Sequence, residues 1–369
     1  YYSKDNGSNY VESTSSSYTF SNLTSNATFY VKVYVKDSNN RESSVSTTSV
    51  RTKISLKEVC LSGTNLASCM KAYGNKGSDA TNVYIHDSSL VNGAGDNSYR
   101  FAGASNDVSN YVCFGSTVSP CPEDNLYRII GVFDGRVKLI KSDYATSALL
   151  GTDGDYKQKF TLNYLYSSSY KGNNLDNIAA YYWNKTAKNT WSLSNLNKIN
   201  LNQNFITNIG TDWANKIDMT TWKVGGNSSK NIIYAKPSVV YQNEIVNPSP
   251  GSTSSNGETE YSVKIGLMYV SDYMYAAPQD KWTLIGSDVD SSKAYTAAIS
   301  VNWMHMGLHE WTISRYVDSS SSAFCVYGDG KVTYSYAGNS FAVRPVFNLI
   351  SSTTYVSGDG TKTEPICIS

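Results

Sequence analysis

The feature that most constrains this chain is the run from Asn125 to Lys141. Leu126-Tyr127-Arg128-Ile129-Ile130-Gly131-Val132-Phe133 leads into Asp134-Gly135, and Arg136-Val137-Lys138-Leu139-Ile140-Lys141 follows. Two apolar runs joined by Asp-Gly predict a β-hairpin with a two-residue type I′ turn, because both turn residues must take positive φ and this pair tolerates it. So tight a turn fixes the register of the two strands. A sheet carrying this hairpin is therefore the starting point for the fold.

A second hairpin is predicted near the C-terminus, between Trp311 and Leu349. Ala323-Phe324-Cys325-Val326-Tyr327 and Lys331-Val332-Thr333-Tyr334 flank the turn Gly328-Asp329-Gly330, and the stretch closes on Ala342-Val343-Arg344-Pro345-Val346-Phe347. Tyr316, Asp318, Ser320, Tyr327, Tyr334, Tyr336 and Asn339 decorate it, with further serines at 319, 321, 322, 335 and 340. Tyrosines supply large, stiff, amphipathic faces, while Ser, Asn and Asp supply adaptable hydrogen bonds. We take those seven residues as the candidate ligand-binding set, with Trp311 and Val343-Arg344-Pro345-Val346 as framework.

Charge excludes some partners. The 31 basic and 30 acidic residues leave a net charge of +1, and only 17% of residues are charged, so there is no electrostatic footprint for nucleic acid or an anionic membrane. The polar surface must come from uncharged groups, and 30 tyrosines among abundant Ser, Asn and Thr suit a secreted, β-rich protein. Six cysteines without a C-x-x-C pair point to disulfides in an oxidising compartment. Cys60/Cys69 and Cys113/Cys121 each enclose a short loop, and Cys325 and Cys367 pair with each other or stay free. No apolar run approaches the roughly 20 residues that span a bilayer. The abrupt opening at Tyr1, without a Met or a signal-like segment, leads us to expect a preceding part that would carry any anchor.

Along the chain, residues 1–53 read as closely spaced strands, with Val31, Val33 and Val35 on one face of Phe29–Val35 and a turn at Asp37-Ser38-Asn39-Asn40. Residues 54–110 are irregular. They hold a helix expected over Glu58–Tyr73, closed by Gly74, and a strand at Val83–His86, and they read as the opening strand and loops of one domain over 54–369 whose core is 111–369. Ser192 or Ser194 would cap a helical region in which Leu196, Ile199, Phe205, Ile206 and Ile209 recur, ended by Gly210. Asn247–Glu258 reads as a loop, Tyr261–Val270 as a core strand, and Tyr355–Ser357 and Glu364–Ile368 as segments returning to the domain's first strand.

Two resemblances rest on these residues. Leu23, an aromatic corner and the Val31-x-Val33 strand resemble the second half of a fibronectin type III domain, although the corner position falls on Phe29, which lacks the hydroxyl. The Tyr127-Arg128-Ile129-Ile130-Gly131-Val132 strand, the Trp-led segment, the second hairpin and the closing V-R-P strand resemble the C-type-lectin-like fold. The branch is the formylglycine-generating-enzyme-like one, found in bacterial surface proteins and in the variable proteins of diversity-generating retroelements. The fold class implied is an α+β C-type-lectin-like domain with long loops, preceded by all-β fibronectin-type-III-like sandwich strands. In retroelement-diversified proteins, adenine-directed mutation of Asn codons yields residues such as those at 316, 318–322, 325, 327, 329, 334–336, 339 and 341.

Other chemistry fits less well. His305 and His309 are four apart, which on a helix would put both imidazoles on one face, but Gly307 intervenes and His86 is the only other histidine. Asp-rich turns at Gly151–Asp155, Asp288–Asp290 and Gly358–Gly360 offer oxygens that a structural calcium ion could use, without matching the twelve-residue EF-hand loop. The resemblance would place active-site cysteines near Cys325, which stands alone there, and the histidines do not form the related iron triad. No G-x-S-x-G elbow occurs. Asn-x-Ser/Thr triplets lie at Asn6, Asn22, Asn26, Asn184 and Asn227. The function expected is therefore non-enzymatic and without cofactor: an extracellular bacterial surface protein binding a host or cell-surface protein or glycan. A structural subunit that self-associates into a cell-surface filament or layer is the alternative, and a formylglycine-generating-enzyme-like catalyst the third.

Overall fold

The Asp-Gly hairpin lies in the middle of the largest sheet. In the computed structural model, which describes residues 1–160, 170–172, 175–228, 235–249, 258–282 and 299–369, Leu126–Phe133 pairs with Arg136–Lys141, and Phe133 stands opposite Arg136. Asp134 and Gly135 take φ of 46° and 74°, the pair of positive values a type I′ turn demands. The register shifts between Ile129 and Gly131. A Cβ at Gly131 would lie 2.3 Å from the Tyr99 carbonyl oxygen, so glycine is what lets the neighbouring strand approach at this bulge.

Around the hairpin the order is Ile265–Gly266, Val346–Asn348, Arg136–Lys141, Leu126–Phe133, Tyr99–Phe101, Val83–Ile85, with Tyr111–Cys113 also paired to Leu126–Phe133. Residues 83–101 thus belong to the same sheet as the central hairpin. Seven of the eight residues of Leu126–Phe133 are buried, as expected of a strand covered on both faces. Phe347 anchors the packing, its ring centroid 4.8 Å from Phe114, 5.5 Å from Tyr127 and 5.9 Å from Phe205. The whole is a mixed α/β protein rich in sheet, with few helices. Among the described residues, no helix is long and apolar enough to cross a membrane.

A second sheet runs Gly226–Asn227, Glu310–Tyr316, Ser322–Val326, Val332–Tyr336 and carries the C-terminal hairpin. Its framework is an ion pair. Arg344 Nε and Nη2 donate to Glu310 Oε1 and Oε2 at 2.7 and 2.8 Å, and Nη2 also reaches the Met304 carbonyl at 2.7 Å. Both partners are buried, and the bidentate geometry joins the strand that opens the hairpin to the V-R-P segment that closes it.

Residues 1–53 form a three-stranded antiparallel sheet in which Thr28–Val33 lies between Tyr2–Ser3 and Ser46–Arg51. Every residue of Ser46–Arg51 is exposed, and the buried apolar residues of the chain begin only at Ile54. Phe29, Val31 and Val33 are half-buried, while Val35 is 68% exposed. Ring contacts hold this segment together instead, such as Tyr1 on Tyr34 with centroids 4.9 Å apart.

Several local expectations need correction. The helix expected from Glu58 starts only at Leu66, because Asn65 caps it by accepting from Ser68 N, and it runs to Gly74. The strand expected over Tyr261–Val270 breaks into Glu260–Val263 and Ile265–Gly266, and Val270 begins a helix to Tyr275 whose first turn is capped by Asp272. Ser194, which accepts from Asn197 N at 3.2 Å, is the serine at the start of the wide-turned helix Leu196–Phe205. The chain end returns to Tyr111–Cys113 and to the Asn65 cap rather than to Val83–Ile85. Both local disulfides, Cys60–Cys69 and Cys113–Cys121, are formed; Cys325 and Cys367 are free. The turn Asp288–Asp290 and residues 250–257 of the expected loop lie outside the described residues.

Candidate functional site

Glu310–Tyr316 and Ser322–Val326 are buried along their whole length, so the hairpin stands on a filled base. Val332–Tyr336 is the edge strand, and its burial alternates. The period of two sends Tyr334 and Tyr336 outward, 42% and 51% exposed, and turns Ser335 inward. Tyr334 lies flat on Tyr316, with centroids 3.9 Å apart and planes 1° from parallel, and both rings meet Phe324 edge-on. Tyr316 is only 9% exposed. This narrows the contact set read from the sequence, because Tyr334 covers the Tyr316 ring.

The serine loop joins the same patch. Ser322 pairs with Tyr336, and Ala337 N donates to Ser321 O at 2.8 Å, which brings Asp318 and Ser320, both exposed, to the Tyr336 end of the hairpin. Exposed Asn339 closes the patch there, its Nδ2 donating to Ser335 Oγ at 2.8 Å. Tyr327 is set apart at the turn. It is half-buried, and its ring stacks on His309 at 4.0 Å, so it supports the turn instead of extending the patch.

The two histidines pin that turn. His305 Nε2 bonds the Gly328 carbonyl at 3.0 Å, and His309 Nδ1 accepts from Gly328 N at 3.2 Å. Burial pushes both imidazoles down to about 4, from an ordinary value of 6.5, so they are neutral at pH 7. Cys325, fully buried in the middle strand, has its thiol pushed well up by desolvation, which opposes formation of a nucleophilic thiolate. Among the Asp-rich turns, Asp155 accepts from Lys185 N at 3.0 Å and Leu196 N at 2.9 Å, and Asp359 accepts from Thr361 N at 2.9 Å. Those carboxylates are engaged in holding backbone. Among the described residues, no group of three or more His, Cys, Asp or Glu side chains is placed to hold a metal ion.

Sequence reasoning missed the residue that sets the loop. Asn189 is buried, and its Nδ2 lies 3.1, 2.6 and 2.8 Å from the carbonyl oxygens of Tyr316, Ser319 and Ser322, while its backbone N donates to Ser320 O at 2.9 Å. One asparagine thus holds four carbonyls of the loop that presents Asp318 and Ser320. More than 120 residues separate it from them, and no local pattern marks it. Two more distant partners fix the base: Trp183 Nε1 donates to Thr312 O and Trp311 Nε1 to Tyr181 O, each at 2.9 Å. Behind the strand, Ser314 donates to the buried Glu244 carboxylate, which burial pushes up to about 7.

No protein-family model, curated protein or solved structure matches the chain.

Proposed function

We propose that this chain is an extracellular recognition protein that binds a host or cell-surface protein or glycan through the outer face of its C-terminal hairpin. The observation that carries the reading is the contrast at the edge strand: Tyr334 and Tyr336 project outward beside Asp318, Ser320 and Asn339, on a base whose strands are buried along their whole length. Stiff aromatic faces held in place lose little entropy on binding, which is the economy of a recognition surface. Two disulfides agree with an oxidising, extracellular setting. The reading assigns no reaction to Cys325.

In this reading the head is a C-type-lectin-like domain and residues 1–53 are a fibronectin-type-III-like spacer. The juxtaposition of the Trp311 strand, the hairpin and the V-R-P segment through Glu310 and Arg344 supports the first assignment. Retroelement-type diversification would act on the outward residues 318, 320, 334, 336 and 339, because Ser322, Cys325, Ser335 and Phe341 are buried. Comparing copies of the segment within one population tests that: changes at the buried positions as often as at the outward ones refute it.

Binding is tested with labelled protein on a glycan array and on intact cells. Tyr334→Ala/Tyr336→Ala abolishes the signal while leaving the thermal transition nearly in place; binding that survives the double change refutes the site. One observation favours the alternative of a self-associating surface subunit, namely the exposed Tyr30, Val45 and Val50 of the N-terminal sheet. Sedimentation at high concentration separates the two, since a monomer rules out the subunit reading.

A further inference from the structure

The other exposed chemistry of the molecule lies in a cleft of about 420 Å³ between the Cys113–Cys121 loop and the C-terminal segment. Its lining includes Trp213, Pro120, Pro365 and three sulfur-bearing residues: Cys113, Cys121 and Cys367. The first two form a disulfide with Cα atoms 5.9 Å apart, and Cys367 is a free, exposed thiol.

Backbone pairing sets Cys367 beside that disulfide. Val112 and Ile366 form a parallel bridge, in which Cys113 N donates to Ile366 O at 2.9 Å and Ile366 N donates to Tyr111 O at 2.8 Å. The next residue on each strand is a cysteine. Parallel neighbours lie about 4.8 Å apart, inside the Cα range of roughly 4.4–6.8 Å that a disulfide accepts. Val112 and Ile366 are both fully buried, so the alternation of a strand turns Cys113 and Cys367 to the opposite face, toward the cleft. Cys325 has no such setting, being sealed within its sheet.

We propose that this cleft is a thiol–disulfide exchange site in which Cys367 displaces Cys121 from Cys113. The Cys367 thiol gives its proton to solvent and its sulfur attacks Cys113 Sγ. The Cys113–Cys121 bond breaks as a Cys113–Cys367 bond forms, and Cys121 leaves as a thiolate that takes up a proton. One disulfide is exchanged for another with no net oxidation. The product ties the C-terminal strand covalently to Tyr111–Cys113, opens the 113–121 loop, and moves the free thiol to that loop.

The test is a disulfide map of the full chain after incubation at pH 8 in a reduced/oxidised glutathione buffer, acid quench and alkylation under denaturing conditions. The expected result is two species, one alkylated at Cys367 with 113–121 linked and one alkylated at Cys121 with 113–367 linked. Alkylation of Cys367 with Cys121 never labelled overturns the proposal. In Cys121→Ser treated with glutathione disulfide, Cys113 and Cys367 join; if both end as separate glutathione adducts, the geometry argued here is wrong. The Cys367→Ser chain, in the same buffer, leaves Cys121 unlabelled. Labelling of Cys121 there at the wild-type level assigns its release to glutathione instead of Cys367 and equally overturns the proposal.

Discussion

Replacing Asn189 is the sharpest probe of how the 316–322 loop is held. The Asn189→Ala change removes two N–H donors shared among the carbonyls of Tyr316, Ser319 and Ser322, and leaves the backbone bond to Ser320 O intact. Each buried acceptor left without its donor costs about 1–3 kcal/mol, so the loss is about 2–6 kcal/mol for the two protons. Asn189→Asp keeps the shape and reverses the chemistry, since it points carboxylate oxygens at three carbonyl oxygens. That variant is destabilised by more than the alanine one at neutral pH. Burial against those carbonyl oxygens raises the carboxyl's pKa in the folded state, so part of its loss is recovered as pH falls toward about 4, the unfolded value, once the protonated carboxyl donates again. Urea denaturation gives the free energies, and hydrogen exchange over residues 316–322 reports the loop locally. Two results refute the reasoning: wild-type protection of 316–322 in Asn189→Ala, or an Asp variant no less stable than the Ala variant at pH 7.

Other expectations follow from the same framework. Glu310→Gln or Arg344→Met, each leaving one buried charge without its partner, costs about 3–5 kcal/mol, and the double change costs less than the sum of the two in a double-mutant cycle by urea melting. Trp311→Ala, at a fully buried ring, costs about 3–5 kcal/mol, whereas Tyr336→Ala at the exposed rim stays within about 0.5 kcal/mol by the same measurement. Because His305 and His309 are neutral when folded down to about 4 but protonate near 6.5 when unfolded, stability present above pH 6.5 falls as pH drops from 6.5 to 4. Glu244 acts oppositely: its carboxyl is raised to about 7 from 4.5, so its contribution is full below pH 4.5 and is lost as pH rises toward 7. Denaturation midpoints of Glu244→Gln across pH 4–8 isolate the histidine trend, and a flat profile below pH 6.5 would contradict it.

Where short-range chemistry decides, the sequence was readable. The Asp134-Gly135 turn, the two inter-cysteine loops and the Ser194 hydroxyl that accepts from Asn197 N at the head of Leu196–Phe205 all depend on residues within a few positions of one another. The break in Tyr261–Val270 was hidden because its apolar run reads equally as strand or helix entry, and only Asp272, bonding back to Tyr269 N, decides for the helix. Glu58–Tyr73 was overextended for a similar reason, since Asn65 can cap as well as occupy a helix. At the C-terminal hairpin, composition could not separate Tyr316 from Tyr334, which differ only in which ring covers the other. Asn189, Trp183 and Glu244 act across 70 or more residues of sequence, at distances over which a single chain carries no periodicity.

The N-terminal sheet has a mechanical consequence. With no buried apolar residue before Ile54, its strands are joined mainly by backbone bonds and by rings at the surface, so little free energy opposes their opening one at a time. Under tension along the chain it would lengthen before the packed region beyond it is disturbed. The C-terminal hairpin, packed beyond that segment, stays intact while the N-terminal sheet takes up the strain.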